Sequence, residues 1–100
     1  MNSRLTEDFV KCFRGLPARV QEQSRKSYKF WKENPNHPSL DFKRVSESLP
    51  IYSVRVAIGW RALGHRKDDT IVWFWVGSHS DYDKLLKRVQ EESPEYSAMF

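Results

Sequence analysis

One hundred residues with 39% apolar content suffice for one domain and exclude two, each of which would be too small to fill a core. Four Trp, four Tyr and six Phe against only four Gly and five Pro exclude collagen-like, low-complexity and linker-like chains. Seventeen Lys and Arg against thirteen Asp and Glu leave a net charge of +4, which excludes a strongly acidic protein and leaves a polyanion partner open.

In chain order, Leu5, Phe9, Phe13 and Leu16 recur at helical spacing, with Thr6 placed to cap and Glu7 and Asp8 in the first turn. Gly15 and Pro17 stop this helix. A second helix is expected from near Pro17 to about Glu33, where Asn34-Pro35 ends it. Its middle, Gln21 to Ser27, carries no large apolar residue, so one face is solvated and Phe30 and Trp31 are the expected core anchors. The pair reads as a helical hairpin.

Asn34-Pro35-Asn36-His37-Pro38 is a loop by composition, and beyond it the apolar period changes from helical to strand-like. Leu40, Phe42 and Val45 suggest a short first strand. From Ile51 to Ile58 the even positions Tyr52, Val54, Val56 and Ile58 are apolar, so a second strand buries them and turns Ser53, Arg55 and Ala57 the other way. Gly59 begins a return strand, Trp60 to Arg66, and Lys67-Asp68-Asp69 makes the next turn. Ile71 to Val76 is apolar on both faces and belongs inside the sheet, covered on each side. Ser78 or Ser80 then caps a last helix whose stripe is Tyr82, Leu85, Leu86 and Val89. The expected fold is α+β over residues 1–100 as one domain: a helical hairpin, a three- to four-stranded antiparallel sheet and a C-terminal helix, with 91–100 a loose tail.

No apolar run approaches the roughly 20 residues of a membrane span, and the N-terminus has no apolar segment of the kind a signal peptide needs. The single Cys12 makes no internal disulfide, and no Cys/His cluster has metal-ligand spacing. A reducing cytoplasm, no membrane, no metal and no cofactor are the expectations. The positive charge is concentrated: Lys43, Arg44, Arg55, Arg61, Arg66 and Lys67 lie in one stretch with a single acid, Glu47. Such a stretch suits a phosphate backbone, though a solvated mixed-charge surface explains it equally.

Four residues from three segments are the candidates for chemistry. Arg55 and Arg61 flank the Gly59 turn, and His79 leaves the last strand just before the helix that carries Tyr82. Two guanidiniums can clamp a phosphate and stabilise charge developing on it. Histidine exchanges protons near neutral pH. Together these suit metal-free attack of an RNA 2′-OH on the adjacent phosphate. Tyr82 also lies on the apolar stripe of its helix, where core packing competes with a catalytic role. Trp60 is the candidate for stacking a base, since Trp73 and Trp75 sit in the most apolar strand.

The segments Ile51-Tyr52-Ser53-Val54-Arg55-Val56, Gly59-Trp60-Arg61-Ala62-Leu63-Gly64 and Ile71 through Leu86, with Gly77-Ser78-His79-Ser80-Asp81-Tyr82 at its centre, resemble the RelE/ParE superfamily of type II toxin–antitoxin systems. The resemblance covers roughly residues 4 to 88. It implies a compact α+β fold with an antiparallel sheet and a basic groove, cutting mRNA on the ribosome without metal in RelE-like members and inhibiting DNA gyrase in ParE-like ones. Arg61 then matches a phosphate-stabilising Arg, Arg55 a further catalytic position, and His79 the catalytic His of the YafQ-like subgroup. Ser53 stands where RelE has Lys, and Gly59 where the YafQ-like subgroup has Asp. The expected function is thus an endoribonuclease toxin with catalytic His79, Arg61, Arg55 and Tyr82, and with Lys43, Arg44, Trp60, Arg66 and Lys67 on RNA. The implied partners are a cognate antitoxin, mRNA and the ribosome, with DNA met only through the antitoxin complex. A non-enzymatic gyrase inhibitor and an inactive antitoxin-bound remnant are the alternatives.

Overall fold

The computed structural model describes residues 1–88. A short strand, β1 (Asn2–Leu5), precedes the first helix, α1 (Glu7–Arg14). Thr6 separates them: its backbone is extended, and its hydroxyl accepts from the Phe9 N–H at 3.1 Å, satisfying one free donor of the first turn. Leu5 therefore belongs to a strand and stands exposed, and the apolar stripe of α1 begins at Phe9. The missed strand pairs parallel with a distant one, from Asn2 opposite Thr70 to Leu5 opposite Trp73, a contact no local pattern encodes.

Helix α2 (Ala18–Glu33) follows Pro17 and stops at Asn34, as the turn residues require. Its small middle residues serve close packing as well as solvation. Ser24 is buried with its hydroxyl donated back to the Val20 carbonyl at 2.7 Å, and the Ser27 hydroxyl donates to Val56 O at 2.8 Å on the sheet. Trp31 is the anchor, meeting Trp73 edge-on at 5.4 Å and Phe42 at 5.7 Å. Phe30 turns outward against His37.

The expected short strand over Leu40, Phe42 and Val45 is formed only in part. Pro38–Leu40 is a single 3-10 turn, and only Lys43–Arg44 pair as β2. Pro38 presets that turn, and Asp41 follows it with a φ of 44°, a left-handed conformation that Asp tolerates. Strands β3 (Ile51–Ala57), β4 (Trp60–Lys67) and β5 (Thr70–Ser78) are joined by tight turns at Ile58-Gly59 and Asp68-Asp69. Gly59 takes a φ of 79° and Asp68 one of 54°. Residues 79–88 are helical and are designated α3; Ser78 caps it by accepting from the Asp81 N–H.

The sheet order is β1-β5-β4-β3-β2, with β1 parallel and the rest antiparallel. The fold is α+β as expected, but the sheet has five strands and is mixed rather than three or four and antiparallel. Its centre is β4, with β5 lying between β4 and β1. The hairpin packs on one face over Val54, Val56, Ala62, Ile71, Trp73 and Val76. On the other face α3 lays Tyr82, Leu85 and Leu86 over Ile51, Leu63 and Trp75.

Two further expectations are overturned. Ser53 was expected to face water and is fully buried, its hydroxyl held by the Arg61 side chain, which Asp41 and Tyr82 of α3 in turn enclose. Ile58 was expected in the core and is 94% exposed, because the chain has already entered the turn there. The expected tail, 91–100, and Val89 lie outside the described residues. Among the described residues, no helix is long and apolar enough to cross a membrane.

Candidate functional site

On the α3 side of the sheet, Arg55 and Arg61 are directly opposite in the β3–β4 ladder and therefore share a face. Arg61 is in turn opposite Gly77 of β5, so His79, two residues further on, leaves the sheet beside them. The His79 N–H is tied to Gly59 O at 2.7 Å, which joins the start of α3 to the β3–β4 turn. Three of the four candidate catalytic residues are thus placed by hydrogen-bonded backbone, and Tyr82 follows one helical turn later.

The side chains differ sharply in what they offer. Arg61 is 4% exposed. Its Nε–H donates to Ser53 Oγ at 2.7 Å, Nη1 to Asp41 Oδ2 at 3.1 Å, and Nη2 to the Asp41 carbonyl at 2.8 Å. Its guanidinium carbon lies 5.3 Å from the centroid of the Tyr82 ring, a cation–π distance. A guanidinium buried in this way must be both paired and hydrogen-bonded, and it is. Arg55 is exposed, with one long contact of 3.4 Å from Nη1 to Ser39 O. Tyr82 is buried between Trp75, His79 and Arg61, so its ring is a packing surface. The His79 side chain is 56% exposed; its ring lies 5.5 Å from that of Tyr82, and Nε2 lies 3.6 Å from Asp83 Oδ1.

Asp41 and Ser53 complete this site. Ser53 stands out in the sequence only as a departure from the Lys of RelE, and for Asp41 the sequence signal is an acid two residues before Lys43. The Asp41 carboxylate also meets Lys43 Nζ at 3.3 Å. Burial of the carboxyl opposes its ionisation. That effect is overcome by the Lys43 hydrogen bond and by the charges of Arg61, Lys43 and Arg55, which together hold it below the usual carboxylate range. Lys43 and Arg61 therefore pair with a single anion, on which the charge of Arg55 also acts.

The remaining candidate RNA contacts are not gathered here. Arg66 lies five residues from Arg61 along β4, about 17 Å at strand rise, and its guanidinium sits over Tyr52 on the hairpin side. Lys67 ends the same strand at an exposed turn. Arg44 turns back to the carbonyls of Ser46 and Glu47. Trp60 is half-buried against the hairpin-side core. The basic stretch of the sequence thus divides into a cluster of Lys43, Arg55 and Arg61 and a scattered remainder. Among the described residues, no group of three His, Cys, Asp or Glu side chains is arranged to hold a metal ion.

A second concavity opens on the opposite face. A cavity of about 390 Å³ lies between β1, the helical hairpin and the sheet, floored by Val54, Val56 and Val76 and walled by Phe9 and Phe13. Exposed Arg4 and Arg25 stand among its lining, with no acidic residue there. Its lining is mainly apolar, with Tyr28 among it.

Residues 18–84 match the family model of the ParE-like toxin domain. No curated protein matches the chain in sequence. The fold is similar to the toxin–antitoxin complex RelB–RelE of Methanococcus jannaschii, with 19% identity, a TM-score of 0.65 and coverage of 81% of this chain and 96% of that one. It is similar to YafQ of E. coli, with 13% identity, a TM-score of 0.62 and coverage of 81% and 96%. It is also similar to the isolated RelE toxin of E. coli, with 21% identity, a TM-score of 0.58 and coverage of 88% and 97%.

Proposed function

We propose that this chain, which belongs to the ParE-like toxin domain family of the RelE/ParE superfamily, is an endoribonuclease toxin that cleaves mRNA without a metal ion. The observation that carries this reading is that Tyr82 contacts both kinds of group. Its ring has the Arg61 guanidinium at 5.3 Å and the exposed His79 ring at 5.5 Å, so one side chain links a proton-transfer group to the cation cluster. A pure binding protein needs no such pairing.

In this mechanism Arg55 and Lys43 meet the phosphodiester first, since they are the exposed cations of the cluster. The 2′-OH attacks the adjacent phosphorus and the 5′-oxygen leaves, giving a 2′,3′-cyclic phosphate and a 5′-OH. His79 transfers a proton in this exchange. Its ring projects from the N-terminal end of α3 and supports no core contact beyond Tyr82, so it is free to follow the substrate. Arg61 holds the local architecture in the present arrangement. Lys67, Arg66 and Arg44 lie further out, where they meet flanking RNA or the ribosome.

A cognate antitoxin is the proposed partner, in the cytoplasm. The apolar cavity beneath the hairpin, with Arg4 and Arg25 beside it, is of the kind that an acidic amphipathic segment fills.

One observation favours the gyrase-binding alternative: Arg61 is buried and fully engaged, whereas a phosphate clamp is expected to present its fork. The deciding experiment incubates purified protein with translating ribosomes and mRNA in EDTA and maps 5′ ends, beside a gyrase supercoiling assay. Discrete cleavage with 5′-OH ends and unchanged supercoiling supports the nuclease. Intact mRNA with reduced supercoiling replaces it with the gyrase inhibitor.

A further inference from the structure

On the α3 side of the sheet Lys43 and Arg61 converge on an anion that the chain itself supplies, and Arg55 is the cross-strand partner of Arg61. We propose that the Asp41 carboxylate is a resident counter-anion filling the site in which Lys43, Arg55 and Arg61 bind a phosphodiester, and that RNA reaches Arg61 when this carboxylate swings aside. The proposal rests on the ribonuclease reading only in naming RNA as the source of the phosphodiester.

The geometry separates what holds Arg61 in place from what occupies it. Nε is fixed by Ser53 Oγ at 2.7 Å and Nη2 by the Asp41 main-chain oxygen at 2.8 Å, while Tyr82 covers the guanidinium plane. None of these contacts involves the carboxylate. The carboxylate takes only Nη1, through Oδ2 at 3.1 Å, and the same oxygen takes Lys43 Nζ at 3.3 Å. Rotating the Asp41 side chain away therefore frees one donor on Arg61 and the Lys43 ammonium together, leaving the Arg61 side chain anchored at its other two nitrogens.

The Asp41 side chain is 39% exposed, so water is available to receive the carboxylate when it turns. Among the described residues, no other carboxylate forms an ion pair with Lys43, Arg55 or Arg61. The cluster thus holds three cations and one anion, an excess that a phosphodiester oxygen satisfies. Carboxylate and phosphate oxygens accept from the same guanidinium fork, so the two compete for one position. An anion tethered in place is present at high effective concentration, and it weakens the binding of any anion from solution.

The test compares Asp41→Asn with wild type in binding inorganic phosphate and a 2′-O-methyl oligoribonucleotide, which lacks the attacking hydroxyl and is not cleaved. Asp41→Asn is expected to tighten both by about tenfold, the scale of one charge-assisted hydrogen bond. Glu47→Gln, which makes the same change in net charge at an exposed site away from the cluster, is expected to change binding less than twofold, a general field effect at physiological salt. Equal binding by Asp41→Asn and wild type, or equal gains in Asp41→Asn and Glu47→Gln, overturns the proposal. Should Asp41→Asn fail to fold by near-UV circular dichroism, Asp41→Ser is measured; failure of both assigns the carboxylate a purely structural role and also overturns it. Tighter phosphate binding without tighter oligonucleotide binding keeps the anion site and removes RNA as its ligand. Tighter binding of both, with no cleavage of unmodified mRNA, keeps the proposal and ends the nuclease reading.

Discussion

Arg55 and Arg61 are direct cross-strand partners on one face of the sheet, yet Arg55 is exposed and Arg61 is almost completely buried. Like charges opposite one another in a sheet repel. Here the Asp41 carboxylate and the Ser53 hydroxyl hold one of the pair, while the other extends to water.

Substituting the two arginines should therefore separate stability from surface chemistry. Arg61→Ala leaves Ser53 without its partner and Asp41 with Lys43 alone, opens space beside Tyr82, and is expected to cost roughly 3 kcal/mol, moderated by the partial exposure of Asp41. Arg55→Ala should stay within about 0.5 kcal/mol of wild type, as exposed substitutions do, while weakening anion binding. Urea unfolding followed by tryptophan fluorescence measures both, and equal stability losses would contradict the division.

His79→Ala tests the proposed proton transfer. The backbone bond from the His79 N–H to Gly59 O does not depend on the side chain, so the fold is expected to persist with an unchanged melting temperature. Cleavage should fall by about 10²–10⁴, the usual loss for a positioned acid or base. Tyr82→Phe keeps the ring against Arg61 and Trp75 and should act mildly. Single-turnover cleavage with 5′-end mapping provides the rates. A folded His79→Ala variant of wild-type rate removes His79 from the chemistry.

Gly64→Ala should destabilise strongly for one added methyl group. Its Cβ would lie 2.6 Å from Ile71 Cγ2 and 2.7 Å from Trp73 Cε3, both in buried side chains. Overpacking of this kind costs about 1–3 kcal/mol. Gly59→Ala meets no atom within 4 Å, so any loss there comes from its φ of 79° alone. Thermal melts of the two variants distinguish crowding from backbone strain.

Asp41 also gives stability an acid dependence of definite sign. Its carboxyl is held below the ordinary value of 3.8, so the folded state releases this proton more readily than the unfolded state. The resulting stabilisation is fully present above the unfolded value and is lost as pH falls through the lower folded one. Urea midpoints at pH 7 and along an acid series below pH 4 should therefore converge for Asp41→Asn and wild type as the acid limb is reached. Curves that remain parallel would show that this carboxyl is not a source of the acid sensitivity.

Periodicity and turn chemistry alone were enough to place most of the elements. Pro17 and Asn34-Pro35 bracket α2, Gly59 and Asp68-Asp69 mark the hairpins, and Ser78 or Ser80 marks the start of α3, with Ser78 the cap formed, because each acts through the backbone of its immediate neighbours. Long-range contacts decided the rest. β1 exists because β5 offers it a parallel edge, and Ser53 is buried with the Arg61 side chain that Asp41 and Tyr82 enclose. Arg61, Asp41 and Tyr82 lie twenty or more residues apart in sequence, so no local spacing announces that a guanidinium is clasped by one and covered by the other. The kinds of residue that carry charge and protons were legible in the chain, but which of them face water depends on the enclosure that only the packed sheet and helices create.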